Sequence, residues 1–141
     1  MDTASIDAAL PAAVVAAVTG DDQGLTDVSQ VYVAAKRRDM GSNAIEAWLR
    51  PLADTPQVLK SRPSSNLVAY ALELRITAAD GSSIDWVSLG DQILAGFHHV
   101  ALAIANMITC EVSDLAYEQH QGEGVAEELR ATLTYVGWRD R

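Results

Sequence analysis

The sequence has few of the residues on which the commonest functional sites depend. Among 141 residues only Cys110 is a cysteine, so the chain forms no internal disulfide and no cysteine-based zinc site. Lysine and arginine number 10 against 19 aspartate and glutamate, a formal net charge of -9. Binding to a phosphate backbone needs clustered cations. The basic cluster Lys36, Arg37 and Arg38 is interpreted as a solvated turn, so the composition argues against nucleic-acid binding.

Long hydrophobic runs are also missing. No segment approaches the roughly 20 continuous apolar residues of a membrane-spanning helix. The short apolar stretch at residues 10–18 follows Asp2 and Asp7, whereas a signal peptide begins with positive charge. We therefore expect neither export nor membrane insertion. Hydrophobic residues still make up 49% of the chain, enough for the core of a single domain over residues 1–141.

Side chains suited to catalysis or metal binding are sparse and poorly spaced. His98 and His99 are neighbours in a predicted helix and would point about 100° apart, too divergent for one metal ion. His120 with Glu118 and Glu123 lies in a glycine-containing loop that offers no rigid support for a metal. No glycine-rich phosphate loop or GxSxG motif is present. We predict no enzymatic activity, cofactor or metal.

An N-terminal helix is predicted over residues 5–18. Ile6, Leu10, Val14 and Val18 recur every four residues and so lie on one helical face. Thr3 or Ser5 is the expected cap. Pro11 removes one backbone hydrogen bond and is expected to kink the helix.

The middle of the chain is predicted to contain strands and one long loop. Residues 28–35 are a predicted strand, and residues 44–52 fit either a short helix or a strand. Residues 53–66 show little periodicity and are predicted to be a loop that makes contacts. Every second residue from Val68 to Ile76 is large and apolar, and the residues between them are smaller or polar, which predicts a strand over residues 67–78 with one buried face.

The second half is predicted to contain one long helix and two strands. Residues 88–106 carry an apolar stripe, and we expect this helix to pack across the strand at residues 67–78. Residues 108–117 and 129–138 are predicted strands joined by a polar loop over residues 118–128. The stripe consists of Leu89, Ile93, Phe97, Val100 and Ile104, and its expected partners are Val68, Tyr70, Leu72, Leu74 and Ile76.

Two details of the strand at residues 108–117 follow from its pattern. Ile108, Cys110 and Val112 are expected to point inward, with Cys110 a buried and inert thiol. The apolar phase then shifts by one residue, which predicts a bulge near Asp114. The expected class is α+β: a mostly antiparallel sheet with a long helix packed across one face and an N-terminal helix.

This layout resembles a family of bacteriophage proteins. A helix over residues 89–106 leads into Ile-Thr-Cys-Glu-Val at residues 108–112, then Leu-Ala-Tyr at residues 115–117. A polar glycine loop and a closing strand with Leu129, Thr132 and Tyr135 follow. The succession is similar to the tail terminators of long-tailed phages, the lambda-type minor tail protein U family, over residues 66–138. Residues 36–65 are longer and richer in proline than expected for that family.

The resemblance implies a structural virion protein at the head–tail junction, assembled in the host cytoplasm. It implies a homohexameric ring that caps the tail tube protein and joins a head–tail connector or stopper, with genomic DNA passing through the lumen. The family carries no catalytic residues, so none transfers to this chain. Two other functions stay open: another neck or tail-completion protein, or a small α+β enzyme or ligand-binding domain. The residues expected to make ring contacts are Pro56, Arg62, Pro63, Glu118, His120, Gly122, Glu123 and Gly124.

Overall fold

A computed structural model describes the protein over residues 1–18, 28–33, 45–78, 84–119 and 127–141. Two helices and six strands lie within these ranges, together with a 3-10 turn at Val28–Gln30. The elements are α1 (Thr3–Ala17), β1 (Val31–Val33), β2 (Ile45–Pro51), β3 (Gln57–Ser61), β4 (Ser65–Ala78), α2 (Trp86–Phe97), β5 (Met107–Gln119) and β6 (Glu127–Asp140).

The strands form one mixed sheet in the order β1-β2-β4-β6-β5, and β3 also pairs with β4. The pairing of β1 with β2 is parallel, and the other described pairings are antiparallel. β2 pairs with residues 72–78 of β4 and β3 pairs with residues 66–69, so both lie on the same side of β4. β6 and β5 lie on the other side. β3 and β5 are therefore at opposite edges of the sheet.

The core lies between one face of this sheet and the two helices, as the α+β class requires. The predicted stripe of α1 is buried at Ile6, Leu10, Val14 and Val18. The alternation in β4 and β6 is confirmed, because one side of each strand is buried throughout. Those buried residues are Val68, Tyr70, Leu72, Leu74 and Ile76 in β4 and Leu129, Ala131, Leu133 and Tyr135 in β6.

Helix α1 begins two residues earlier than predicted and has a different cap. Asp2 is the N-cap: its side chain accepts hydrogen bonds from the Ala4 N–H at 3.2 Å and from the Ser5 hydroxyl at 2.9 Å. The helix continues through Pro11. The Tyr70 hydroxyl donates to Asp7 Oδ1 at 2.9 Å, which ties α1 to β4; burial and this bond raise the pKa of Tyr70.

Helix α2 is shorter than the long helix predicted over residues 88–106, because it ends at Phe97. His98 is extended and His99 has a φ of 60°, so the chain turns back toward β5. Leu89, Ile93 and Phe97 are buried as predicted, whereas Val100 is 43% exposed and lies outside the helix. α2 lies mainly against α1, β5 and β6, and the prediction that a long helix packs across β4 is not confirmed.

The prediction of a loop over residues 53–66 is wrong. This segment contains β3 and the start of β4, and the Arg62 N–H donates to the Ser65 carbonyl at 2.8 Å in the connecting turn. All of β3 is exposed, so the strand shows no alternation in its sequence. Residues 44–52, whose sequence fits either a short helix or a strand, contain strand β2. Of the strand predicted at residues 28–35, the structure shows only β1; residues 28–30 form a 3-10 turn instead, and residues 34 and 35 lie outside the described ranges.

Strand β5 contains two irregularities, one of which was predicted. The register with β6 shifts between Ser113 and Ala116, and Asp114 has a φ of 53°, which confirms the bulge near Asp114. A second shift lies between Met107 and Thr109. It turns Ile108 outward with 53% exposure, so the inward position expected for Ile108 is wrong, while Cys110 and Val112 are buried.

Burial makes Cys110 a poor nucleophile, and this is testable by thiol labelling. The side chain is fully buried, and desolvation raises the pKa of its thiol from 9.0 to about 11. At pH 8 a shift of two units leaves about a hundredfold less thiolate than an ordinary cysteine has. We expect slow alkylation by iodoacetamide in the native protein and rapid alkylation in guanidinium chloride. Equal rates in the two conditions would contradict the buried position.

Candidate assembly surfaces

The residues predicted to make ring contacts do not form one cluster. Pro56 precedes β3, and Arg62 and Pro63 lie in the turn between β3 and β4. Glu118 lies near the end of β5, on the opposite edge of the sheet. His120, Gly122, Glu123 and Gly124 lie outside the described residues, as does most of the predicted loop over residues 118–128. That loop is shorter than expected, because β5 extends to Gln119 and β6 begins at Glu127.

On the β2 side of β4 the sheet has two edge strands, β1 and β3. Over the described residues β3 pairs with β4 alone, so its outer backbone edge meets no other strand. All five residues of β3 are exposed, including Val58 at 51% and Leu59 at 49%. Val58 lies opposite the buried Val68 and so belongs to the helix-bearing side of the sheet. An exposed strand edge with apolar side chains is a surface that readily pairs with another strand.

Basic residues surround this edge. Lys60 is exposed at the end of β3. The guanidinium of Arg62 stacks over the indole of Trp138, 4.0 Å from the ring centroid, which holds the turn against β6. Arg139 is exposed nearby, and the Arg141 Nε donates to Asn66 Oδ1 at 3.1 Å. Four basic side chains therefore lie at the β3 end, together with the exposed Asp140 between Arg139 and Arg141.

At the opposite edge of the sheet lies strand β5, and its first half is covered. The His99 N–H donates to the Cys110 carbonyl at 2.7 Å, and His98 Nδ1 accepts from the Val112 N–H at 3.0 Å. The two imidazole rings stack with centroids 3.9 Å apart, whereas a helix over both residues would separate them. The chain after α2 thus protects the edge of β5 up to Val112. Residues 113–119 continue beyond this cover and, within the described chain, pair only with β6.

An apolar groove lies beside the open half of β5. It forms where the first turn of α2 passes over Leu115 and Tyr117, and it has a volume of about 590 Å³. Val87 is 79% exposed at its rim, and the Trp86 and Tyr117 rings lie 5.5 Å apart. The Trp86 indole N–H is buried and has no acceptor within the described chain. The Tyr117 hydroxyl donates to Glu127 Oε2 at 3.0 Å, and desolvation together with this bond raises the pKa of Tyr117.

The sheet face opposite the described helices carries a chain of ion pairs. Glu128 is at its centre with a side chain only 2% exposed, and its Oε1 lies 3.3 Å from the Nε atoms of both Arg75 and Arg130. Two guanidinium groups offset the cost of burying that carboxylate. Arginine and glutamate alternate along this row, so their formal charges cancel: Arg50, Glu73, Arg75, Glu128, Arg130 and Glu118.

Sequence reasoning missed the β3 edge and the groove. Val58 and Leu59 fell within the segment interpreted as a loop. Leu115 and Tyr117 were recognised as an apolar pair displaced by a bulge, and that phase shift was the available signal. Exposure of an apolar pair depends on which helix covers it, and this is a property of the tertiary structure.

The residues that the structure describes bring together no group of three or more histidine, cysteine, aspartate or glutamate side chains able to hold a metal ion. Neither described helix is both long enough and apolar enough to cross a membrane. No known family model matches the chain, and no curated protein matches it.

Proposed function

We propose that this chain is a structural subunit that associates head to tail into a closed ring. The observation that carries the proposal is that β3 and residues 113–119 of β5 lie on opposite sides of one sheet and, among the described residues, each has one backbone edge that pairs with no strand. An interface between two different surfaces of the same protein adds subunits in one rotational direction, and a suitable rotation closes the ring. A protomer with only one such edge could pair its strands with one neighbour, whereas each subunit of a ring has two neighbours.

We further propose that this ring is a phage tail terminator, located at the head–tail junction of the virion. The support is the resemblance of residues 66–138 to that family. The same resemblance is the basis for proposing six subunits per ring. It is also the basis for the tail tube and the connector or stopper as partners, and for the passage of DNA through the lumen. A net charge of -9 is favourable for such a lumen, because negative side chains repel phosphate. A different ring of the neck, or a tail-completion protein, would use the same two edges.

Native mass spectrometry at rising protein concentration tests ring formation. The chain has a mass of 15.1 kDa, so a hexamer should appear at six times that mass, 90.6 kDa. Electron microscopy of the protein mixed with tail tubes that lack a terminator should show one added ring at the tube end. A protein that stays monomeric and leaves the tube ends bare contradicts the proposal. A ring that binds connectors and ignores tubes favours the neck alternative.

A further inference from the structure

The charge of the protein is divided between the two ends of its sheet. Residues 84–119, which form α2 and β5, contain no lysine or arginine. The acidic residues of this segment are Asp85, Asp91, Glu111, Asp114 and Glu118. The β3 end carries four basic residues, Lys60, Arg62, Arg139 and Arg141, beside one acidic residue, Asp140. Two copies placed head to tail would bring the basic end of one against the acidic end of the next, which favours their association.

The two ends also match in their apolar side chains. Val58 and Leu59 are about half exposed on β3, and the groove beside Val87, Leu115 and Tyr117 is lined mainly by carbon. Both Val58 and the groove lie on the helix-bearing side of the sheet, so a strand added to β5 in the plane of the sheet would carry Val58 toward the groove. Within one protomer these surfaces lie at opposite edges and do not meet.

The open backbone is limited to a short segment. His98 and His99 cover β5 up to Val112, so an added strand can pair only along residues 113–119. β3 is a short strand, Gln57–Ser61, that fits within this length. A longer edge would accept strands in several registers, whereas this one restricts where the partner binds.

We propose that β3 of one copy adds to residues 113–119 of β5 in the next copy, and that Val58 covers the groove beside Trp86 and Val87. Lys60 then lies near Asp114 and the other acidic residues of that edge. The occupant of the groove is a second copy of this chain. This inference rests on the proposed ring and identifies its repeated contact.

A pair of complementary variants tests this contact. Val58→Glu places a carboxylate on the helix-bearing side of β3, and Val87→Glu places one at the groove. Both positions are exposed in the monomer, so the fold should be unaffected. Each variant alone should shift from ring to monomer in native mass spectrometry. An equimolar mixture should form a dimer of twice 15.1 kDa, 30.2 kDa, because one intact β3 and one intact groove remain.

Ala12→Glu is the matched control, since it adds the same charge at an exposed position of α1 and should leave the ring intact. Rings formed by both test variants would overturn the proposed contact while leaving the ring itself standing. Loss of assembly in only one variant would indicate a symmetric contact and would also overturn it.

Cysteine pairing separates failure of the contact from failure of the ring. Val58→Cys and Val87→Cys proteins are mixed and oxidised; Cys110 is buried and should not compete. Disulfide-linked heterodimers should exceed homodimers of either variant. If the cysteine variants form heterodimers but the wild-type protein forms no ring, the result supports the contact and counts against the ring. A mixture with no excess of heterodimer would overturn the contact.

Discussion

Replacing Phe97 with alanine should lower the free energy of unfolding by about 3–5 kcal/mol. Phe97 is the chain's one phenylalanine and ends α2 with only 2% of its surface exposed. It belongs to the core cluster shared by both helices and the sheet, so the truncation removes apolar contacts and leaves a cavity. Total stability of a domain is about 5–15 kcal/mol, so the loss should be evident in urea or thermal denaturation.

Val87→Ala is the control on the same helix, because Val87 is 79% exposed and its truncation should change stability by less than about 0.5 kcal/mol. A Phe97→Ala protein that melts like the parent and fails to assemble would place Phe97 at a subunit contact. The packing of α2 described above would then be wrong.

Adding one methyl group to α2 should have opposite effects at its two glycines. At Gly96 an added Cβ would lie 2.6 Å from the Cβ of Ala17, where α1 and α2 pack together. That contact is too short, so Gly96→Ala must move the helices apart, at a cost of about 1–3 kcal/mol. The same Cβ at Gly90 would lie 3.5 Å from Leu115 Cδ2, an ordinary contact.

Gly90→Ala should therefore stabilise the protein by about 0.4–1 kcal/mol, since alanine favours helix and restricts the unfolded chain. The two variants have the same composition and the same helix, so denaturant titrations of both isolate the contact with Ala17. Stabilisation by Gly96→Ala would show that the helices are not in close contact there. A Gly96→Ala, Ala17→Gly double variant should recover part of the lost stability.

The side-chain patterns that predicted α1, β4 and β6 succeeded because those elements meet the same environment along their whole length. Each has one side against the core, so burial repeats with the period of the element. Ile6, Leu10 and Val14 show the period of a helix, and Val68 to Ile76 show that of a strand. The bulge at Asp114 was predictable for the same reason, since an extra residue in a half-buried strand shifts the apolar phase.

The end of α2 was decided by the tertiary structure. Residues 101–105 are rich in alanine and favour helix when considered alone. The edge of β5 needs hydrogen-bond partners, and the chain supplies them when it turns at His98 and His99. A pattern of side chains contains no information about backbone groups on a distant strand.

The amino-acid sequence by itself determined the α+β class and the buried sides of α1, β4 and β6. Only the tertiary structure decided that β3 is a strand and that the groove beside Val87 and Tyr117 is open. Both features depend on pairing and cover from residues far along the chain, and exposed positions carry no periodic signal. The surfaces on which the proposed ring depends are therefore those least visible in the sequence.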